Sequence, residues 1–399
     1  MKKLFIIGSI IIFLFLLWGG YWLFICRIAK KELEFPLTLV SVKLLPEFKD
    51  DLSGDGLKEA INLQIKKMKR ENLSKTVPLG KMTVSRKKIL KTLEYFNEIL
   101  KRKGLSSLSE EIPRHFLVFQ ASGLNQRGDV LFTGYYQPVL DARRKPEGEY
   151  KYPIYKTPPD LQVLDLGEIN PEYAGEKIGL RVEEGIIKPY FDRKAIDEDM
   201  VLAGRGLELV YLKDFLDRYL LHIQGSGVIN LENGQMIKVR FASSNYFPYV
   251  SIGKLLIKAG KIPPRKLSLE AIRMCYQEDP EEIKRHLNQN PRYIFFEEFN
   301  GNVTGSEGVE LTPGRSIATD KSIFPGGGLA YIVCQRPVRN AKGEIVRWTL
   351  MKRFMIDQDT GSAFKGPGRV DIFWGTGKEA EKVAGSFKEM GKLYYLLIK

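Results

Sequence analysis

From Leu4 to Cys26 the chain carries no charged side chain, and this run is flanked by Lys2-Lys3 on one side and by Arg27, Lys30 and Lys31 on the other. At about 1.5 Å of rise per residue, such a run makes roughly 34 Å of helix, enough to cross the hydrocarbon core of a bilayer. It has no polar stripe, which argues against a helix packed on the surface of a soluble core. A cleaved signal peptide has a shorter apolar region followed by small residues. Leu23-Phe24-Ile25-Cys26 has the leucine and cysteine of a lipoprotein cleavage box, but bulky Phe24 and Ile25 stand where small residues are needed. The expectation is therefore a membrane anchor over residues 1–31, with a cleaved signal or lipidation at Cys26 as alternatives. Basic residues on both sides leave the orientation undecided. No second long apolar run follows, so the remainder reads as a soluble body on one side of the membrane.

Charge narrows the partners of that body. Sixty-two Lys and Arg against 48 Asp and Glu give +14, which favours a polyanion: nucleic acid, anionic lipid or an acidic polymer. The basic residues are dispersed and an anchor is present, which argues against nucleic acid. Cys275 and Cys334 can form at most one bridge, and His115, His222 and His286 share no zinc-ligand spacing. No P-loop or dinucleotide fingerprint occurs, so neither cofactor nor metal is expected.

Periodicity divides the body. A lysine-rich region over 32–80 contains a helical pattern near Leu57–Arg70. A stronger one places Ile89, Leu93, Phe96 and Leu100 on one face, with Gly104 as a stop. From His115 onward, short apolar runs such as Phe116–Phe119 and Val130–Phe132 alternate with turn residues and read as strands. Helical patterns return at Leu212–Leu221 and, in two pieces, at Pro264–Asn288. Strands are expected again at Leu329–Cys334, Ile345–Ile356, Val370–Trp374 and Leu393–Ile398. The class is β-rich α+β.

Three stretches carry candidate chemistry. Asp359-Thr360-Gly361-Ser362 is the loop of aspartic proteases, but those need two carboxylates sharing a proton, and no second Asp-Thr-Gly occurs. Thr133-Gly134-Tyr135-Tyr136 puts aromatics and a hydroxyl beside a glycine, which suits a sugar groove or a strand end with core tyrosines. Gln224-Gly225-Ser226-Gly227 closes a helical pattern and presents either backbone N–H groups to an acceptor or a simple helix stop. His222, flanked by apolar residues, reads as a satisfied buried histidine. Asp371 opens a short aromatic strand, where a carboxylate is unfavourable unless paired or functional. Partial desolvation of that kind keeps a carboxylic acid protonated near neutral pH.

Taken in order, these stretches resemble the membrane-bound lytic murein transglycosylases of the A type. The resemblance runs through Leu131–Pro138, Tyr152–Tyr155, Phe191–Ile196, Phe215–Lys258, Ala271–Arg273, Leu287–Pro291, Thr319–Gly326 and Asp359–Trp374, covering roughly residues 110–399. The last section is similar to the small three-aspartate (3D) domain, whose acids would fall on Asp320, Asp359 and Asp371. The resemblance implies a double-psi β-barrel domain with an inserted smaller β-rich domain and peripheral helices. Its segments would be a helical N-terminal region and first barrel segment (32–137), the insert (138–304) and a second barrel segment (305–399).

The resemblance also implies cleavage of the β-1,4 bond between N-acetylmuramic acid and N-acetylglucosamine in peptidoglycan, leaving 1,6-anhydro-muramyl ends. Asp371 would be the single acid and then base, with Asp359 and Asp320 as its neighbours. Thr133, Gly134, Tyr135 and Tyr136, with Gln224, Gly225, Ser226 and Gly227, would touch the glycan. The alternatives are a peptidoglycan hydrolase using two aspartates and a non-catalytic murein-binding envelope protein. The expected partners are glycan strands, the membrane and other cell-wall enzymes, with the body in the periplasm. Ser362 replaces a glycine common in the family's turn, the loop to Asp371 is one residue longer, and the lysine-rich N-terminal region departs from the usual short linker.

Overall fold

The computed structural model describes residues 33, 35–173, 175–339, 345–361 and 365–399; the apolar run Leu4–Cys26 and Ser362 lie outside them. Among the described residues no helix is long and apolar enough to cross a membrane. Among the strands of the two large sheets, β1 (Leu37–Leu39), β2 (Phe116–Ala121) and β3 (Val130–Gln137) come first along the chain. Then follow β4 (Val139–Arg143), β5 (Tyr152–Tyr155), β6 (Glu208–Leu212), β7 (Ser226–Leu231), β8 (Met236–Ser244) and β9 (Ile294–Phe299). The last group is β10 (Ser316–Ala318), β11 (Leu329–Arg339), β12 (Ile345–Asp359), β13 (Arg369–Thr376) and β14 (Lys388–Ile398).

A closed barrel forms in the order β14–β11–β12–β10–β13–β3 and back to β14. Within it β10 runs parallel to β12 and β13 parallel to β3, and the other pairings are antiparallel. Closure requires β14 to change partners: Lys388–Gly391 pairs with β3, and Tyr394–Ile398 pairs with β2. Gly391 sits at that change. A Cβ there would lie 2.4 Å from the Val333 carbonyl oxygen, so a side chain would force the strands apart.

Phe132, Ile317, Ile332, Val370, Ile372 and Leu393 are fully buried inside the barrel, and Phe354, on the opposite face of β12 from the Ile332–Arg353 pair, is fully buried on its outside. The helix Arg86–Arg102 packs against it through Ile89, Leu93, Phe96 and Leu100, the face read from their spacing. Burying each of these side chains contributes roughly 1.5–3 kcal/mol relative to exposure. Ser85 starts this helix by accepting the Lys88 N–H at 3.2 Å.

Between β3 and β4 only Pro138 intervenes, and there the chain leaves the barrel. Strands β4–β9 form a second sheet in the order β9–β8–β7–β4–β6–β5, curled so that edge strands β5 and β9 come into contact. Its core is Ile154, Val210, Leu221, Ile229, Val239 and Phe296. The helical pattern at Leu212–Leu221 is realised as a helix over Phe215–Gln224, while Leu212 ends β6. Asp214 decides this boundary, because its carboxylate accepts the Asp217 N–H at 2.8 Å and caps the helix two residues late. The β-rich α+β class, the closed barrel, the β-rich insert and the peripheral helices are all present. Arg273 of the insert ties the two units together, binding Asp217 at 2.7 Å and Glu381 of the C-terminal helix Lys378–Ser386 at 2.8 Å.

Candidate active site

Short strand β10 organises the carboxylates. Its Ala318 pairs with Asp359 of β12 on one side and Asp371 of β13 on the other, and Asp371 pairs in turn with Thr133 of β3. Residues opposite one another in register share a face, so Asp359, Ala318, Asp371 and Thr133 form one row across the sheet. With strands about 4.8 Å apart, the two aspartates stand about 10 Å apart at Cα, with only a methyl group between them. Val370 and Ile372 point into the barrel, so Asp371 points out of it.

A bulge sorts the carboxylates of β12. Ile317 pairs with Asp357, yet Ala318 pairs with Asp359, so Gln358 is an extra residue. In a regular strand Asp357 and Asp359 would share a face; the bulge sends Asp357 inward beside buried Ile317 and Asp359 outward. Asp357 is fully buried and accepts hydrogen bonds from Thr319 and Tyr395, each at 2.7 Å, and from Lys321. Sequence reasoning passed over it, although a carboxylate in an apolar strand was the signal that singled out Asp371.

The three aspartates expected at the site lie in unlike surroundings. Asp359 is saturated: Oδ1 accepts the N–H groups of Ser306 at 2.9 Å and Thr360 at 2.8 Å, and Oδ2 accepts the Tyr135 hydroxyl at 2.9 Å. Burial raises its pKa, and these hydrogen bonds oppose the shift. Asp320 ties down a loop, accepting from Ser322 N–H and hydroxyl at 3.0 and 2.6 Å and from Gly366 N–H at 2.7 Å. Asp371 is 16% exposed, accepts one hydrogen bond from the Thr133 hydroxyl, and has the Arg369 Nε at 3.8 Å. Burial pushes its pKa up to about 6; Arg369 works against that rise and the Asp359 charge adds to it.

Asp371 opens onto a pocket of about 150 Å³ with Arg369 and Gly361 beside it. The opposite wall belongs to the insert: Arg193, His222, Tyr249, Asn290 and Arg292. No sequence signal assigned Tyr249, Asn290 or Arg292 to the site. His222 is buried as expected but only half satisfied, with Nδ1 accepting from Arg193 at 3.2 Å and Nε2 unpartnered among the described residues.

The remaining candidates divide between the row and its scaffold. Thr133 and Tyr135 hold Asp371 and Asp359. Gly134 is a packing residue, because a Cβ there would lie 2.6 Å from Trp374 Nε1 and 2.7 Å from Ala384 Cα. Tyr136 is buried against Ala380 and Ala384, and its N–H donates to Gln224 Oε1 at 3.0 Å. Gly225 takes a φ of +77° to end the helix, and a Cβ on Gly227 would lie 2.6 Å from Leu221 Cδ1. Ser226 pairs with Arg240 in the insert sheet. The Tyr136–Gln224 contact joins barrel and insert, and Gly134, Tyr136 and Gln224–Gly227 are not among the residues lining the Asp371 pocket. The helix-stop alternative for Gly225 is the one the backbone adopts.

A closed barrel that presents a desolvated, lightly bonded carboxyl to a cleft walled by a second β unit has the arrangement a general acid needs. Family models match the chain as the MltA specific insert domain over residues 131–297 and as the 3D domain over residues 315–397. Membrane-bound lytic murein transglycosylase A of Vibrio cholerae is 32% identical over 283 residues, covering 69% of this chain and 68% of that protein. The Escherichia coli K12 protein of the same name is 32% identical over 282 residues, covering 70% of this chain and 68% of its own. Among solved structures, a membrane-bound lytic murein transglycosylase from Agrobacterium tumefaciens superposes with a TM-score of 0.75 at 27% identity, covering 91% of this chain and 98% of that one. E. coli MltA with bound chitohexaose gives a TM-score of 0.70 at 26% identity, covering 92% and 96%. The chain belongs to the membrane-bound lytic murein transglycosylase A family.

Proposed function

We propose that this protein cleaves the β-1,4 bond between N-acetylmuramic acid and N-acetylglucosamine in peptidoglycan and leaves 1,6-anhydro-muramyl ends. Asp371 is the catalytic residue. In its protonated form it gives its proton to the bridging oxygen as the C1–O bond breaks. As carboxylate it then takes the proton of the C6 hydroxyl of the same sugar, whose oxygen closes onto C1. No water is consumed, and taking the C6 hydroxyl proton restores the acid for the next cycle.

The supporting observation is the contrast among the three acids. Among the described residues, Asp371 is the one of the three that lines the cleft, and it accepts a single hydrogen bond, while Asp359 and Asp320 each accept three from N–H and O–H donors. A hydrolase would need a second carboxylate free to activate water, and both Asp359 oxygens are already held by hydrogen bonds. Asp359 acts as a positioning residue whose charge raises the pKa of Asp371. Thr133 orients the Asp371 carboxyl.

The named relatives act on murein, and one related structure holds chitohexaose, which supports an extended glycan in the groove between barrel and insert. The run Leu4–Cys26 keeps the body at the membrane, facing the wall in the periplasm. Mass spectrometry of a murein digest tests the reaction: anhydro-muramyl products are expected, and reducing ends throughout would overturn it in favour of hydrolysis.

A further inference from the structure

Positive charge in the cleft wall exceeds what the insert needs for its own structure. Arg193 and Arg218 both bind the fully buried Asp197 side chain, at 3.3 and 2.8 Å, leaving one guanidinium charge in excess. His222 adds no negative charge and stays neutral, since burial and the two arginines push its pKa well down. Because Nδ1 accepts from Arg193, the ring proton sits on Nε2, a buried N–H without a partner among the described residues.

Arg292 goes further. Its Nη1 donates to the Phe247 carbonyl at 3.1 Å, and its Nε is buried with no partner among the described residues. No carboxylate among the described residues pairs with it, and burial lowers its pKa unopposed by any nearby acid except the Tyr246 phenol. The surrounding loop is firmly held, since Asn245 binds the carbonyls of Phe191 and Pro291 and the N–H of Tyr293, and Asn290 binds the N–H of Val250. A desolvated guanidinium on a fixed loop, with one edge unused, is arranged to accept a carboxylate.

Resting on the murein-cleaving reading above, we infer that Arg292, with the unpaired N–H of His222 beside it, is a specificity-determining site for a carboxylate carried by the muramic acid side chain. Two groups of a glycan strand have this chemistry: the lactyl carboxylate of a strand stripped of peptide, and the carboxylates of an attached stem peptide. N-acetylglucosamine has neither, so the site distinguishes the two alternating sugars and sets the register in which Asp371 meets the bridging oxygen.

The test measures Kd and kcat/KM of full-length protein in detergent, wild type against Arg292→Gln, on three probes. These are chitohexaose, peptide-free glycan strands and peptide-bearing strands. Loss of a charged hydrogen-bonding partner should weaken binding of carboxylate-bearing strands by about 10–100-fold, with chitohexaose moving less than threefold. A loss confined to peptide-bearing strands identifies the stem; a loss on both identifies the lactyl group. Equal effects on all three probes, or none on any, overturn the inference. Arg292→Lys, which keeps charge but not the fork, should recover part of the loss and serves if the glutamine variant does not fold. If the wild type turned over no strand, the reaction would fall, while the Kd contrast would still decide the Arg292 site.

Discussion

The two walls of the cleft hold buried charge in opposite ways. On the insert side, Arg193, Arg218 and Asp197 are locked together by ion pairs in the protein interior. On the barrel side, Asp371 is nearly as secluded but has one hydroxyl for company. A charge with close partners resists a change of protonation, because its partners would be left exposed to a low-dielectric interior. A carboxyl with desolvation and little else can exchange its proton near neutral pH. The difference separates a structural charge cluster from a catalytic one, and it can be broken at either end.

The largest effect is expected at the lightly held end. Asp371→Asn should lower turnover of murein by about 10³–10⁴-fold while circular dichroism and chitohexaose binding stay unchanged. Unchanged turnover would remove Asp371 from its role and direct attention to Asp359. At the tightly held end, Asp197→Asn leaves two buried guanidiniums without a counter-ion and should destabilise the fold by about 3–5 kcal/mol in denaturant unfolding. A loss below 1 kcal/mol would mean that the insert cluster is not held as described.

Much of the barrel side was legible in the chain. Ile89, Leu93, Phe96 and Leu100 announce their buried face by spacing alone. Asp371 announces itself as a carboxylate inside an aromatic strand. Asp357 was hidden by the bulge at Gln358, which reverses the faces that a period of two predicts. Gly225 was ambiguous because a helix stop and an N–H nest ask for the same backbone freedom. Tyr136 could not be sorted, since a core tyrosine and a sugar-stacking one have the same composition. The insert wall was least legible. Arg193, His222, Tyr249 and Arg292 come together only because β4–β9 curl into a sheet, with each residue alone looking like an ordinary loop or helix position.

A smaller effect links the acid to stability. With a folded pKa of about 6 against an ordinary 3.8, Asp371 favours the folded state when protonated, and this contribution is lost as pH rises through 6. Asp371→Asn should therefore be more stable than wild type at pH 7, by about 1–3 kcal/mol. The gap should close below about pH 4, where both forms are neutral. Thermal unfolding across that range checks it, and a gap independent of pH would contradict a raised pKa. Smallest of all, Thr133→Val removes one orienting hydrogen bond and should lower kcat about 5–10-fold with KM little changed. A rise in KM alone would make Thr133 a glycan contact.

The central claim is that burial raises the Asp371 pKa far enough for a working fraction to carry a proton near neutral pH. A carbon-13 titration of the aspartate carboxyls, with the signal assigned by its loss in Asp371→Asn, reads this directly. The expected midpoint for Asp371 is about 6; a midpoint at or below about 4 would leave only about one carboxyl in a thousand protonated at pH 7 and contradict its role as proton donor.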